Sequence, residues 1–164
     1  QRPKERVTGV TDIEVFVEPC IRVEVHVPVE VQVEVHVGVD VQVDVTVRDI
    51  LAGTHAMHFH EIGKCEAPDF KSSGGHYNPD GKAHGMRMAD GPHAGDMMNV
   101  EADAAGNGVF SVINDRVSIR GGYDLPALLD SDGTALVLHE RADDYESQPS
   151  GAAGPRIGCA VIGG

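Results

Sequence analysis

Residues 22–47 read RVEVHVPVEVQVEVHVGVDVQVDVTV, with valine at every odd position from Val23 to Val47. Strict alternation of β-branched and polar residues is typical of strands that bury one face and expose the other. A single strand of this length would span roughly 80 Å, so we expect the segment to fold back on itself. A two-residue hairpin loop would move the valines to even positions, so their constant phase predicts three-residue loops or bulges.

The first half of the chain offers three places for such turns. Residues 18–20 (Glu-Pro-Cys) are the best candidate, followed by the surroundings of Pro28 and Gly38, because proline cannot donate to a strand ladder and glycine weakens it. His26 and His36 lie on the polar face, where we expect them to be solvated. The repeat is predicted to supply sheet and no chemistry. It is compatible with three origins, namely natural low complexity, engineering or an error in sequence assignment.

The composition limits the class of protein. The chain has 164 residues and a formal net charge of −13, which fits one domain over residues 1–164, with the valine strands in 1–50 and the site in 51–164. The acidic balance excludes nucleic acid, whose phosphates need clustered cations, and disfavours an anionic membrane surface. No run of about 18 apolar residues predicts a membrane span. The chain begins at Gln1 without a signal-peptide pattern, as expected of a mature product whose signal peptide has been removed.

From Gly53 onward, glycine, aspartate, asparagine and histidine replace valine. Short strands are predicted at residues 57–60, 109–112, 117–119, 135–139 and 156–162, with turn signals at Asn107–Gly108 and Asp132–Gly133. Many short strands without a helical pattern predict an all-β sandwich or barrel. Residues 61–99 and 140–155 form two long loops, and long loops within a compact domain are usually functional.

Metal-ligating residue types cluster in this second region. His58 and His60 are two residues apart and therefore share one face of a strand. The other candidates, in the first long loop and at the end of a later strand, are His76, His84, His93, Asp96 and His139. Imidazole suits copper and zinc, and a carboxylate can complete a tetrahedral zinc site. The spacing predicts a metal site without choosing the metal or the reaction.

Four motifs carry a resemblance to a known family. They read HAMHFHEIGKCEAPDFKSSGGHYNPDGKAHG (55–85), GPHAGDMMNVEAD (91–103), GTALVLHERADDY (133–145) and SGAAGPRIGCAVIG (150–163). In this order they resemble the copper–zinc superoxide dismutases, with loop wording closer to the bacterial secreted branch. The resemblance runs from Gly53 to Ile162 and includes the spacing of eight, nine and three residues from His76 to Asp96.

The resemblance implies a fold and two cofactors. The fold is an eight-stranded Greek-key β-barrel or sandwich whose two long functional loops are a metal-binding loop and an electrostatic loop. The cofactors are one copper ion and one zinc ion per chain. The implied copper ligands are His58, His60, His76 and His139. The implied zinc ligands are His76, His84, His93 and Asp96. His76 would then bridge the two metals as an imidazolate.

The resemblance also implies roles around the metals. Arg156 would lie beside the copper and act with His76 in catalysis. Asp143 would link a copper histidine, His58, to a zinc histidine, His84. Such outer bonds orient imidazoles and raise their basicity.

Three cysteines and one further histidine complete the implied set. Cys65 and Cys159 would form a disulfide between the first long loop and the last strand. Cys20 is left over, and both a buried free thiol and an intermolecular partner fit it. The resemblance implies a structural role for His55, and its odd offset from His58 places it on the opposite strand face.

The implied function is disproportionation of superoxide to dioxygen and hydrogen peroxide by a redox-cycling copper, with zinc structural because it has no redox chemistry. A homodimer in the periplasm or secreted from the cell is expected. The alternative is a non-catalytic copper-binding or copper-buffering module on the same fold, against which the retained ligand positions and Arg156 argue. A purely structural β protein and a zinc hydrolase are weaker alternatives, the latter lacking an obvious general base beside an open zinc.

Overall fold

Nine β-strands and one short 3₁₀ turn form the described part of the chain, in which there is no α-helix. The structure is a computed structural model, and it describes residues 20–23, 33–36 and 41–162. The strands are β1 (Cys20–Val23), β2 (Val33–His36), β3 (Val41–Val47), β4 (Gly53–His55), β5 (Met57–His60), β6 (Val100–Ala102), β7 (Gly108–Asn114), β8 (Thr134–His139) and β9 (Arg156–Ile162). The 3₁₀ turn is Lys71–Ser73. The all-β prediction is confirmed. Because only Ala56 separates β4 from β5, the two count as one strand of an eight-stranded barrel.

The first sheet has the order β1-β2-β3-β7 and is antiparallel throughout. In β3 the odd residues from Val41 to Val47 are at most 2 % exposed, whereas Gln42, Asp44 and Thr46 are half-buried. Each fully buried valine stabilises the fold by about 1.5–3 kcal/mol relative to exposure. The predicted alternation is therefore confirmed where β3 meets the core.

The register of the first sheet preserves the valine phase. Cys20 pairs with His36 and Val35 with Val43, so residues of equal parity lie opposite each other. The turns predicted around Pro28 and Gly38 lie outside the described residues, as do residues 18–19, the side chains of Cys20 and His36, and the whole of His26. Cys20 itself begins β1.

The second layer consists of the sheet β5-β8-β9 and the pair β4-β6. The chain changes partners at Ala56, because β4 pairs with β6 while β5 pairs with β8. Alternate residues of β5 and β8, such as Phe59 and Leu136, pack with the β3 valines in one core. Their other faces are also buried, under the two long loops. In the described residues no helix is long and apolar enough to cross a membrane.

Residues 117–119 do not form a strand, so that prediction is wrong. Val117 and Ile119 are buried in the core as their alternation suggested. Their backbone bonds instead to the same loop, with Ser118 N–H donating to Pro126 O and Leu128 N–H donating to Ser118 O, both at 2.8 Å. Local partners satisfy this segment, and in the described structure it joins no sheet beyond one bridge between Ser118 and Ala127.

The predicted disulfide is present, between Cys65 of the first long loop and Cys159 of β9. The two cysteines are 94 residues apart in sequence. Cys159 packs with Phe70, Ala135 and Val137 in a small second core, on the side of the β5-β8-β9 sheet that faces the loops. The bond therefore ties the loop that carries most of the candidate ligands to the rigid sheet.

We expect the double substitution Cys65→Ala/Cys159→Ala to lower the free energy of unfolding by about 2–5 kcal/mol, because it releases a large closed loop in the unfolded chain. Urea unfolding of the metal-loaded protein, with and without reductant, measures the effect. Reductant should destabilise the wild type and leave the variant unchanged. A variant as stable as the oxidised wild type would contradict the expectation.

Candidate metal centre

The alternation of β5 separates its histidines from its apolar residues. Met57 and Phe59 point into the main core, while His58 and His60 lie on the face covered by the loops and are 0 % and 1 % exposed. His139 ends β8, which is the strand paired with β5. The first long loop brings His76 to the same place through a bridge between His60 and His76. Two neighbouring strands and one loop thus deliver four imidazoles to one point.

Four buried ring nitrogens converge there without a hydrogen-bond partner. They are His58 Nδ1, His60 Nε2, His76 Nε2 and His139 Nε2, and they form a group whose ligand atoms all lie within 4.8 Å of one another. Buried polar atoms without partners are rare and costly in native proteins. Four of them aimed at one point fit a cation that accepts nitrogen lone pairs. We call this set the four-histidine group.

The opposite nitrogens of these rings fix which atoms carry protons. His60 Nδ1–H donates to Gly74 O at 3.0 Å and His139 Nδ1–H donates to Gly154 O at 3.1 Å. His58 Nε2–H donates to a carboxylate oxygen of Asp143 at 2.7 Å. Because these oxygens only accept, the neutral rings carry their lone pairs on the atoms that face the four-histidine group. The tautomers are therefore those a metal ligand needs.

A second set of atoms converges on Asp96. Its Oδ1 lies 3.1 Å from His76 Nδ1, 3.1 Å from His84 Nδ1 and 3.4 Å from His93 Nδ1, and the His76 and His93 nitrogens are 3.4 Å apart. Ligands at 2.0–2.1 Å from a tetrahedral zinc ion lie roughly 3.3 Å from one another. These four atoms, the Asp96 group, therefore have the chemistry and spacing of a tetrahedral zinc site. Asp96 Oδ2 accepts N–H bonds from Gly85 and His93.

His76 belongs to both groups through its two ring nitrogens, Nε2 in the four-histidine group and Nδ1 in the Asp96 group. His58 also offers a ligand atom within 4.8 Å of those of three members of the Asp96 group, namely His76, His84 and Asp96. Its Nδ1 faces the four-histidine group, however, and its Nε2 is bonded to Asp143, so His93 is the better fourth member. The structure thus brings together all seven residues that the resemblance implied as ligands.

Asp143 connects the two groups as well, in addition to the shared His76. Its Oδ2 accepts from His58 at 2.7 Å and its Oδ1 lies 3.0 Å from His84 Nε2, with the carboxylate buried. Such outer contacts orient imidazole ligands. Asp143 is therefore where the resemblance placed it, between one histidine of each group.

Arg156 lies at the edge of the four-histidine group. Its guanidinium donates to Phe70 O and Ser73 Oγ at 2.8 Å and to Gly74 O at 2.7 Å. Gly74 O also accepts from His60, so the cation and that imidazole share one carbonyl. The last strand thereby holds a positive charge beside the candidate ligands.

His55 takes no part in either group. Its Nδ1 and Nε2 each lie 2.8 Å from a backbone carbonyl oxygen, of His139 and Leu51 respectively. With both nitrogens occupied, neither is free to bind a metal. This geometry matches the structural role that the resemblance implied.

Burial favours the neutral form of three members of the four-histidine group. It lowers the pKa of His76 to about 4 and that of His139 to about 3, with neighbouring histidines adding to the decrease at His139. The pKa of His60 also falls well below its usual value, because of burial and then the charge of His76. Neutral imidazole is the form that binds metals, so these rings are ready as ligands.

His84 and the two carboxylates beside it, Asp96 and Asp143, show the opposite balance. Burial lowers the pKa of His84, but hydrogen bonds to Asp143 and Asp96 outweigh it and raise this pKa to about 9. Burial raises the pKa of the Asp96 and Asp143 carboxyls, yet hydrogen bonds from the histidines hold both pKa values well below their usual range. Because ligands must be deprotonated, metal binding at His84 Nδ1 would release a proton.

These shifts predict the pH dependence of the metal-free protein. The folded pKa values of His76 and His139 lie below the unfolded value of about 6.5, so unfolding takes up protons between those limits. The free energy of unfolding should fall as pH drops from about 6.5 to about 4, by up to about 1.4 kcal/mol per pH unit for each group. The raised pKa of His84 stabilises the folded protein to its full extent at any pH below about 6.5. It therefore adds no change in the free energy of unfolding over this pH range.

Urea unfolding of chelator-treated protein at about pH 7 and about pH 4.5 checks this expectation. Protein reloaded with copper and zinc serves as the control, since bound metal opposes protonation of its ligands. Equal or greater stability of the metal-free protein at the lower pH would contradict it.

Sequence reasoning missed two amides that hold the site from outside. Asn99 donates from Nδ2 to Asp143 O and accepts Asp143 N–H at Oδ1, both at 2.9 Å. Gln148 accepts His84 N–H at 2.9 Å and donates to His84 O at 2.8 Å. Each amide side chain thus bonds to both the N–H and the C=O of one residue, Asp143 or His84, as a neighbouring β-strand does. Because they lie in loops without a repeating pattern, only their contacts reveal them.

Two glycines allow the long loops to approach each other. A Cβ at Gly85 would lie 2.0 Å from Tyr145 O, and one at Gly151 would lie 2.7 Å from His84 Nε2. Both residues also have positive φ angles, of 104° and 66°. Any larger residue there would push the second long loop away from His84.

Comparison with known proteins places this site in a family. Residues 27–162 match the family model described as copper/zinc superoxide dismutase. A Cu-Zn superoxide dismutase of Aquifex aeolicus is 50% identical over 107 residues, covering 65% of this chain and 63% of the relative. One of Caulobacter vibrioides is 41% identical over 117 residues, covering 71% and 67%. The match therefore spans slightly less than two thirds of the Aquifex relative's length.

A solved structure agrees with the fold. The crystal structure of a double mutant of a SOD-like protein from Bacillus subtilis superposes with a TM-score of 0.81 at 35% identity, covering 87% of this chain and 97% of that one. The family model covers most of the chain, and the two groups of ligand atoms lie within the matched stretch. The chain belongs to the copper/zinc superoxide dismutase family.

Proposed function

We propose that this protein disproportionates superoxide to dioxygen and hydrogen peroxide, with copper in the four-histidine group and zinc in the Asp96 group. The observation that carries the proposal is the convergence of four unpartnered buried nitrogens beside Arg156. The proposed copper ligands are His58, His60, His76 and His139. The proposed zinc ligands are His76, His84, His93 and Asp96.

Each metal has a separate part. Bound copper would supply a couple that accepts and returns one electron, which zinc lacks. The Asp96 group closes its site with four protein ligands, as structural zinc sites do. The chain's own contribution is to present neutral imidazoles in fixed tautomers and to keep their surroundings dry.

His76 is the residue placed to handle a proton. Its Nε2 faces the four-histidine group without a hydrogen-bond partner, while its Nδ1 is directed at the Asp96 group. With Nδ1 held at the Asp96 group, Nε2 would take up a proton when it is not engaged as a copper ligand and pass it to the reduced product, with solvent supplying the second proton of hydrogen peroxide. Asp143 would support this by holding His58 and His84 in place.

Arg156 would attract and orient the anion. Three of its hydrogen bonds fix the guanidinium, whose five N–H donors leave others for a ligand. Two divalent ions and Arg156, less Asp96, Asp143 and a bridging imidazolate, give about +2 at the site, while a Debye length of about 8 Å screens distant carboxylates. An acidic protein with net charge −13 can therefore still draw in a small anion.

Superoxide decay followed by stopped flow tests the proposal. Protein loaded with both metals should accelerate the decay far above the spontaneous rate, and protein loaded with zinc alone should not. A copper-buffering module would bind copper in the same place yet leave the decay unchanged. That result would overturn the enzymatic assignment.

We further propose that the protein works outside the cytoplasm. The Cys65–Cys159 disulfide supports this, because such bonds persist in oxidising compartments and are rare in the cytosol. Fractionation of the source cells should place the protein in the periplasmic or secreted fraction. Recovery from the cytosol with both thiols reduced would contradict it.

We also propose a homodimer formed through β7. This strand is at the edge of its sheet in the described structure, and it exposes Val109 and Ile113 by 80% and 63%. β7 carries no charged residue, so two copies of an acidic chain can meet there without direct repulsion. Sedimentation should show a dimer that Ile113→Lys dissociates. A monomeric wild type would contradict the proposal.

A further inference from the structure

We infer that Asn114 and Arg116 position the candidate zinc ligand Asp96 by clamping the backbone of residues 94–96. This inference rests on the zinc assignment proposed above, and it adds two positioning residues outside the ligand set. Neither residue touches the proposed copper ligands in the contacts of the described structure. Their part would be to hold one segment of the first long loop.

The carbonyls of residues 94–96 point alternately to two sides, as in a strand. Gly95 O accepts from Phe59 N–H of β5 at 2.9 Å. On the other side, Ala94 O accepts from Asn114 Nδ2 at 2.9 Å, and Asp96 O accepts from Arg116 Nη2. Two side chains therefore occupy the place where a neighbouring strand would bond. Together with β5 they satisfy all three carbonyls.

The clamp is anchored to the first sheet. Asn114 is the last residue of β7, pairs with Val41 and is fully buried. Its Oδ1 accepts Arg116 N–H at 2.9 Å, which directs the next turn of the chain toward the loop. Asp115 Oδ1 receives Arg116 Nη1 at 3.1 Å, and the arginine side chain is only 30% exposed. Arg116 is thus oriented from both ends.

Asp96 has little freedom to adjust if this segment shifts. One carboxylate oxygen faces three histidine nitrogens, and the other accepts two backbone N–H groups. Losing the Arg116 contact would leave the Asp96 carbonyl unsatisfied in a largely buried position, which drives the backbone to move. Zinc retention should suffer before copper retention, because Asp96 is a proposed zinc ligand. The four-histidine group shares only His76 with the Asp96 group.

Zinc release to a chelator tests the inference, with Arg116→Gln, Arg116→Lys and Asn114→Ser compared with wild type. Outer contacts of metal ligands typically change affinity by 10–100-fold, so we expect release about 10-fold faster in Arg116→Gln. Arg116→Lys keeps a cationic donor and should recover part of the loss. Arg120→Gln is the matched control, since Arg120 is exposed in the same loop. Copper content should stay the same in all variants.

A second readout is the visible spectrum of cobalt(II) bound in place of zinc, which reports ligand geometry rather than overall stability. We expect an altered spectrum in Arg116→Gln and Asn114→Ser and an unaltered one in Arg120→Gln. Zinc release and cobalt spectra identical to wild type in both clamp variants would overturn the inference. A wild type that holds no zinc would instead overturn the zinc assignment on which the inference rests.

Discussion

Replacing His139 with alanine is expected to remove copper and superoxide consumption while one zinc per chain stays bound. His139 supplies one of the four unpartnered nitrogens, and it contributes no atom to the Asp96 group. Losing a contact outside the ligand set typically lowers metal affinity or activity by about 10–100-fold, and losing a ligand should have a larger effect. Activity should therefore fall by well over about 100-fold. Elemental analysis and superoxide decay measure the two effects on the same sample.

Glu140→Gln is the matched control for this substitution. Glu140 follows His139 directly and lies in neither group, so both metals and activity should remain. Full activity in the His139→Ala variant would show that copper is held elsewhere. Loss of zinc together with copper would show that the two groups are not separate sites.

Asp143→Asn is expected to weaken binding of at least one metal by about 10–100-fold. The carboxylate accepts from His58 and from His84, whereas an amide has one accepting oxygen and one donating NH₂. The imidazole that meets the NH₂ must present a lone pair at Nε2 and carry its proton on Nδ1. That proton would then point at the metal group, so the ring could not act as a ligand.

Asp144→Asn separates this effect from a simple loss of charge. Asp144 is the neighbouring carboxylate, is exposed and bonds to Ser147 rather than to a histidine. Titration of copper and zinc with competing chelators should therefore show a defect in Asp143→Asn alone. Equal affinities in the two variants would contradict the linking role of Asp143.

The sequence allowed the sheet and its loops to be predicted because local patterns determine them. Alternation gave the buried face of β3 and placed His58 and His60 on one side of β5. The two loops run between β5 and β6 and between β8 and β9, over the residues 61–99 and 140–155 that the sequence suggested. The ligand types were visible as well, because few residue types bind copper or zinc.

Long-range partners were not predictable in the same way. Residues 117–119 have strand-like alternation, but their hydrogen bonds go to residues 126–129. The histidine face of β5 is buried only because distant loops cover it, a fact that no local pattern contains. The same holds for Asn99, Gln148 and Arg116, whose roles come from contacts with backbone far away in sequence.

X-ray anomalous scattering at the copper and zinc absorption edges tests most directly the claim that two metals share His76. Crystals of the loaded protein should show copper bound by the four-histidine group and zinc bound by the Asp96 group, one on each side of the His76 ring. A single metal position, or copper bound away from His58, His60 and His139, would contradict the account.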